Sequence, residues 1–551
     1  MEEQPKATES GEKRGGFTLI GDDLLRNILS RLPALSYASA ACVSRSWNHL
    51  CNEILSRPKI LSALSLNPRL EVAVKEVLDK VLSEPIQPHF AIACIGQGFS
   101  LKKTHQLVRA RLSTRIPIIT SEAPGIIGRD ALSNEFKEVQ WEEDDSGLNE
   151  EIHNLPANVN RGIILIVGFM PGLKVNAIPL LLSKEELPQV SMIEKFVMNI
   201  KDYTASASGC TSPTGILMFG DQRSDLKPVL DKLDFALSAE TVILGNESGC
   251  FLYSNGDDSR IVGGGRAYIL CENTEEQIYQ NCKCGAVALV FARDRDKSQG
   301  IGEIHFHLAL STGVSPVGPT YKGASVRVLK GNESDCSTWL TARREGSLEK
   351  LDGQRILQNI DYEVENDSIY DLYVGVTKRR KCSIGSGKGR LVSSLAFHEV
   401  LGVDDEYLYV KGEGIKTGDS FCLYRSNSET AITSRNDVFE SLKTLKHDWG
   451  CNHMRGVADD GDNKLVCGGL IFSCYGRGES FFGYKNVDSS AFLDNFPGVQ
   501  LAGMFCGGEI GRGSSISIRR DEGQEQSLIR CCLHVYSTAY LVISYSPRSQ
   551  E

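Results

Sequence analysis

The sequence predicts a mixed α/β chain, α+β in organisation, with a small all-helical N-terminal module ahead of a large mixed-sheet region. Three observations carry this. A leucine-rich stripe near the start repeats at helical spacing. From residue 88 onward, short apolar runs of strand length alternate with helical stretches. The chain also holds 53 glycines, many of which close those runs. With 551 residues and 41% hydrophobic content, it is long enough for two or three domains with sizeable cores.

The stripe lies within residues 20–50. Leu24, Leu25, Ile28, Leu29 and Leu32 fall on one wide helical face. Asp22 or Asp23 stands where an N-terminal cap is expected, and Pro33 stops the helix. A second helical pattern follows through Leu35, Ala38, Ala41, Cys42 and Val43, leading into Ser44-Arg45-Ser46-Trp47. Two short helices cannot bury two apolar faces in each other and also hide a Trp. A module of about forty residues is usually too small to stand alone. Either the rest of the chain covers it, or another protein does.

A net charge of −10 argues against a nucleic-acid footprint over the whole molecule. No apolar run reaches the ~18 residues that span a membrane, so neither nucleic acid nor membrane is an expected partner. The first sixteen residues are polar, lack a signal-peptide core and are expected to be disordered. Seventeen scattered cysteines read as reduced intracellular thiols, which places the protein in the cytoplasm, the nucleus or both.

In chain order, residues 61–82 read as a continuing helix with Val72, Val77, Leu78 and Val81 on one side, and Pro85 and Pro88 mark a boundary. The runs at 90–95, 116–120, 162–169, 215–220 and 241–245 are predicted strands buried on both faces. Residues 101–112 and 191–203 read as helices, and 141–151 as an acidic surface loop. The runs 285–292 and 304–311 look like adjacent strands. Further strands are expected at 371–376, 407–411, 420–424 and 470–474, with a terminal one at 533–542. No period of 20–50 residues repeats cleanly, so a solenoid is not expected.

The order Leu24-Leu25, Ile28-Leu29, Leu32-Pro33, then a short helix, then Val43-Ser44-Arg45-Ser46-Trp47 resembles an F-box. Members of that family commonly open with Leu-Pro and an acidic residue, whereas Gly21-Asp22-Asp23 stands here. The resemblance implies docking on a Skp-family adaptor and, through it, a cullin–RING ubiquitin ligase. The adaptor-binding residues it implies are Leu24, Leu25, Ile28, Leu29, Leu32, Pro33, Leu35, Val43 and Trp47. The alternative is an ordinary helical hairpin packed on its own domain.

A second resemblance lies in the C-terminal third. Phe472-Ser473-Cys474-Tyr475-Gly476-Arg477-Gly478, Phe481-Phe482-Gly483 and Leu501 through Gly511 resemble the FIST domains, a family of intracellular sensory modules. Ile243-Leu244-Gly245-Asn246, Gly263-Gly264-Gly265, Pro316-Val317-Gly318-Pro319 and Leu351-Asp352-Gly353 extend the likeness over residues 88–545. The division this implies is a tail at 1–16, an F-box at 17–60, a helical linker at 61–87, a FIST N-like α/β domain at 88–345 and a FIST C-like one at 346–551.

The FIST likeness implies a small ligand, amino-acid-like in character. In the residues themselves, a strand ending in Cys474-Tyr475-Gly476-Arg477-Gly478 offers backbone N–H groups and one guanidinium to a carboxylate or phosphate. Glu509, before Gly511, is placed either to pair with Arg477 or to receive a ligand amine. Cys474, Gly476, Arg477, Gly478, Glu509 and Gly511 are therefore the candidate ligand pocket. The structural alternative is a pair of tight turns with an internal Arg477–Glu509 salt bridge.

Other signals are negative. Gly385-Ser386-Gly387-Lys388 lacks the first glycine of a phosphate-binding loop. Cys282-Lys283-Cys284 has too little spacing for zinc, and His305 and His307 share a strand face without further ligands. No nucleophile–base arrangement can be assembled, so no catalytic residue, cofactor or metal is expected, and the chain reads as a non-catalytic adaptor subunit. Lys378-Arg379-Arg380-Lys381 is either a nuclear localisation signal or a solvated polar loop. Two readings of function result. One is the substrate-recognition subunit of an SCF-type ubiquitin ligase, joining a Skp-family adaptor to an unidentified substrate protein for proteasomal degradation. The other is a small-ligand sensor that signals through its F-box without ubiquitin transfer.

Overall fold

A computed structural model describes residues 21–112, 115–141, 160–183, 189–221, 224–247, 249–256, 261–264, 282–330, 336–361, 372–382, 390–449, 464–513 and 531–547. The expected N-terminal tail and the acidic stretch after Trp141 lie outside these residues. The chain forms two compact units: residues 1–57 with 82–87, and residues 58–81 with 88–551.

The first unit holds three helices, α1 (Asp22–Leu29), α2 (Ala34–Ala41) and α3 (Arg45–Ile54). Gly21, not an aspartate, is the N-cap of α1, and no side chain caps it. Asp22 and Asp23 lie instead in the first turn, where the helix dipole favours negative charge. At α3, Ser44 accepts a hydrogen bond from the Trp47 backbone N–H at 3.1 Å, a side-chain cap. Leu25, Leu29, Tyr37, Ala40, Leu50 and Cys51 form a small core, with Leu32, Trp47 and Ile54 packed against it.

The second unit contains three sheets. The twelve-stranded one begins with Lys59–Ser65 at its edge, beside Ile163–Phe169 and Phe90–Ile95. Its parallel steps include Phe90–Ile95 with Ile118–Glu122 and Gly215–Gly220 with Val242–Asn246. The helices Leu101–Arg111 and Lys227–Ala236 make the crossovers that parallel pairing requires. The six-stranded sheet runs Glu303–Thr312, Ser537–Ser546, Leu465–Cys474, Leu501–Cys506, Gly125–Arg129, Phe136–Gln140. Between these two sheets lies the main core, where Phe219 approaches Phe472 with ring centroids 6.2 Å apart.

The third sheet closes on itself. Val314–Lys330 pairs on one side with Ser420–Ser426 and on the other with Cys336–Arg344. The circuit is completed through Leu372–Cys382, Arg390–Val403 and Leu408–Lys411, giving a six-stranded barrel with the short strand Lys350–Leu351 added at its side. Val374, Val376, Leu408, Val410, Phe421 and Leu423 are among the residues that fill it.

The structure corrects four expectations. Residues 61–82 are not one helix: Lys59–Ser65 is a strand paired antiparallel to Ile163–Phe169 over seven residues, and the helix is confined to Leu70–Val81. Six of those seven residues are buried, so the run is covered on both faces and a one-sided stripe is not what it encodes. The runs 285–292 and 304–311 belong to different sheets, the first pairing with Leu173–Ser183 and Gly215–Gly220, the second with Ser537–Ser546. The terminal strand is two strands, Cys531–His534 in the large sheet and Ser537–Ser546 in the six-stranded one, broken at Tyr536, whose φ is 46°. The basic run at 378–381 is not a loop but part of the strand Leu372–Cys382, and the Lys378 side chain is only 8% exposed.

The regions on either side of residue 345 are interleaved. Glu509–Gly513 and Cys531–His534 extend the large sheet, while Gly125–Arg129 and Phe136–Gln140 extend the six-stranded one. Both regions therefore contribute strands to these two sheets.

Candidate functional site

The nine expected adaptor-binding residues sort into two sets. Leu25 and Leu29 are buried in the core of the helical unit, and Leu32 and Trp47 are half-buried against it. Leu24, Ile28, Leu35 and Val43 face solvent at 57%, 43%, 80% and 64% exposure, and Pro33 is exposed with them. The first set closes the module. The second leaves an apolar surface uncovered within it, of the kind that marks protein interaction sites. Arg26 pairs with Glu53 and links α1 to α3 across their solvent-facing sides.

The sequence-predicted pocket is a packed polar centre. The strand Leu465–Cys474 delivers Cys474, a 3₁₀ turn at Tyr475–Arg477 follows, and a short helix begins after Gly478. Arg477 is buried and does not pair with Glu509. Its Nε donates to Asp488 Oδ2 at 2.9 Å and its Nη2 to Asp488 Oδ1 at 2.6 Å. Nη2 also donates to Ser311 Oγ at 2.9 Å and Nη1 to the Tyr536 carbonyl at 3.0 Å, while the Phe482 ring lies 5.3 Å from the guanidinium carbon. The glycines beside it are covered. A Cβ on Gly476 would meet the Tyr536 ring at 2.7 Å, and one on Gly478 would meet the Gln140 side chain at 1.6 Å.

Asp488 is the member that sequence reasoning missed. It sits in the first turn of the helix Val487–Leu493, buried, and also accepts from Thr538 Oγ1 at 2.7 Å and Ser473 Oγ at 3.2 Å. Nothing in its spacing from Arg477 marks the pair, because the short helix Glu479–Phe482 and the turn that follows it set the approach. Glu509 lies on the strand Glu509–Gly513, fully buried, and its Oε2 accepts from the Ser537 N–H at 3.3 Å and Oγ at 2.9 Å. Burial pushes its carboxyl up to about 8, against the pull of the Ser537 bonds. Burial likewise holds the thiols of Cys474 and Cys506 well above their ordinary range. The Gly511 carbonyl faces His534 Nε2 at 2.8 Å.

A cavity that the sequence did not disclose opens at one end of the barrel. It measures about 390 Å³ and is lined by Lys227 from the helix Lys227–Ala236, by Lys378 and Ala396 from the barrel, and by Glu413, Ile415 and Leu533. On the same strand face as Ala396 lies His398, whose Nδ1 is 3.1 Å from the Lys411 carbonyl. Burial pulls this imidazole down to about 3, so it is neutral at physiological pH. His305 and His307 lie elsewhere, on the strand Glu303–Thr312, where His307 Nε2 is 3.0 Å from Ser544 Oγ and its ring packs on Trp449. Among the described residues, no helix is long and apolar enough to cross a membrane.

A three-helix module with an exposed apolar surface, followed in sequence by a mixed-sheet body, defines the class of protein. An F-box domain model matches residues 17–57, and a FIST C domain model matches residues 389–512. An F-box/LRR-repeat protein of Arabidopsis thaliana is 42% identical over 534 residues, covering 96% of this chain and 93% of its own length. Uncharacterized proteins from two strains of Mycobacterium tuberculosis are 50% identical over 44 residues, 8% of this chain and 12% of each of theirs. The chain belongs to the F-box proteins and carries a FIST C domain in its C-terminal part. Proteins of this family are generally non-catalytic adaptor subunits.

Proposed function

We propose that this protein is the substrate-recognition subunit of an SCF-type cullin–RING ubiquitin ligase. Its F-box docks on a Skp-family adaptor, and its sheet-rich unit holds the protein to be ubiquitinated and degraded by the proteasome. The supporting observation is the split within the F-box. Leu25 and Leu29 complete a core, while Leu24, Ile28, Leu35 and Val43 remain outside it on a module otherwise closed. Such a subunit contributes proximity and orientation rather than catalytic groups. The test is capture of a purified Skp-family adaptor by the full chain and by an Ile28→Glu/Val43→Glu variant. Loss of capture by a folded variant supports the reading, and undiminished capture refutes it.

The cavity at the barrel end favours a second reading, in which a small ligand tunes this receptor. The proposed ligand place then moves from the filled centre at Arg477 and Glu509 to the wall formed by Lys227 and Lys378. A thermal-shift screen of the full chain with amino acids and carboxylic acids tests it. A stabilisation abolished by Lys378→Met supports the cavity, and one that persists places the ligand elsewhere.

A further inference from the structure

The outer face of the barrel carries a row of like charges. Lys322 lies directly opposite Arg343 in the pairing of Val314–Lys330 with Cys336–Arg344, and Arg343 lies directly opposite Lys350 on the next strand. The preceding row, Ala342 opposite Leu351, packs on the barrel core, so the side chains of Arg343 and Lys350 point outward and are exposed. Like charges directly opposite each other across strands destabilise a sheet. Of the three, Lys322 has a carboxylate neighbour, Glu345 at 3.5 Å, with both side chains more than half exposed at 52% and 56%. Among the described residues, the guanidinium groups of Arg343 and of the adjacent Arg344 make no hydrogen bond or ion pair.

Two members of the row, Lys322 and Arg343, border an open cleft of about 540 Å³. Lys322, Arg343 and Arg344 line it together with Thr417, Gly418 and Leu348, and Leu348 is 88% exposed. On a chain of net charge −10, this clustering of cations is local and does not follow from composition. Glu345 relieves this repulsion at Lys322 alone, and an anion beside Arg343 would offset it further along the row.

We propose that this cleft binds an acidic peptide segment, rich in Asp or Glu with an adjacent apolar residue, in the protein that the receptor recruits. The charges sit on neighbouring strands about 4.8 Å apart, close enough for clustered carboxylates to meet several at once. The exposed Leu348 selects a peptide over a bare polyanion, and the negative field of the whole chain repels long nucleic acid. The identity of the segment's owner rests on the receptor reading, but peptide binding is measured without adaptor, so either can fail alone.

Fluorescence anisotropy of the full chain tests it with three probes: a labelled peptide of alternating Asp and Leu, the Lys and Leu counterpart, and an oligo-dT strand. The acidic peptide is expected to bind, to weaken at least tenfold in Arg343→Gln/Lys350→Gln, and to weaken with added salt. The same variant, free of peptide, is expected to melt at the wild-type temperature or above it, since repulsion is removed. Equal peptide affinity in the variant, equal binding of oligo-dT, or a lowered melting temperature would overturn the proposal.

Discussion

Arg477 and Asp488 form a two-point ion pair, with Nε–Oδ2 and Nη2–Oδ1 separations of 2.9 and 2.6 Å, both side chains fully enclosed. Removing one partner of such a pair leaves an uncompensated buried charge. Asp488→Ala is therefore expected to destabilise the protein by about 3–5 kcal/mol, read as a fall in the denaturant midpoint. Replacing both partners with apolar residues is expected to cost less than Asp488→Ala alone, and a double-mutant cycle measures that coupling.

Glu509 gives the stability a pH dependence. Its carboxyl titrates at about 8 in the folded chain against an ordinary 4.5. The folded state therefore holds the proton more tightly, and this stabilisation is fully present below about 4.5 and lost as pH rises through 8. Glu247, half-buried and pushed up to about 7 by desolvation, contributes in the same direction. Glu509→Gln is expected to flatten the decline between pH 5 and 8 without abolishing it, measured as the melting temperature across that range.

The close approach of the two parallel strands in the six-stranded sheet depends on Gly503. A Cβ there would lie 1.7 Å from the Ile471 carbonyl oxygen, a backbone atom that cannot swing aside. Gly503→Ala is expected to separate Leu465–Cys474 from Leu501–Cys506 and destabilise by roughly 1–3 kcal/mol, detected by chemical denaturation.

Leu29 and Val43 are expected to fail differently. Leu29 is wholly buried, so Leu29→Ala leaves a cavity and costs about 2–5 kcal/mol, enough to unfold so small a module. Val43 is exposed, and Val43→Glu is expected to leave the helical content unchanged by circular dichroism.

Much of this is legible in the sequence. The helical stripe from Leu24 to Leu32 encodes one face, and the runs at 90–95 and 215–220 emerge as buried strands with the expected bounds. What a stripe cannot reveal is which of its residues meet the module's own core. Leu25 and Leu29 turn inward, while Leu24 and Ile28 do not, because α3 packs along one edge. Long-range pairing is likewise hidden. The strand at Glu509–Gly513 lies beside Val242–Asn246, and no local pattern announces a partner so distant in sequence. The Arg477 centre shows the same limit. The cation and its turn are visible, but the choice of Asp488 over Glu509 depends on where a short helix places its first turn.

The most direct test of the receptor account is the affinity of the full chain for a purified Skp-family adaptor, compared with that of Ile28→Glu/Val43→Glu. Two anchors that become buried on docking, worth about 2 kcal/mol each, predict a loss of several-hundredfold or more, with the far-ultraviolet spectrum and melting temperature unchanged. Wild-type affinity in that folded variant would contradict the account.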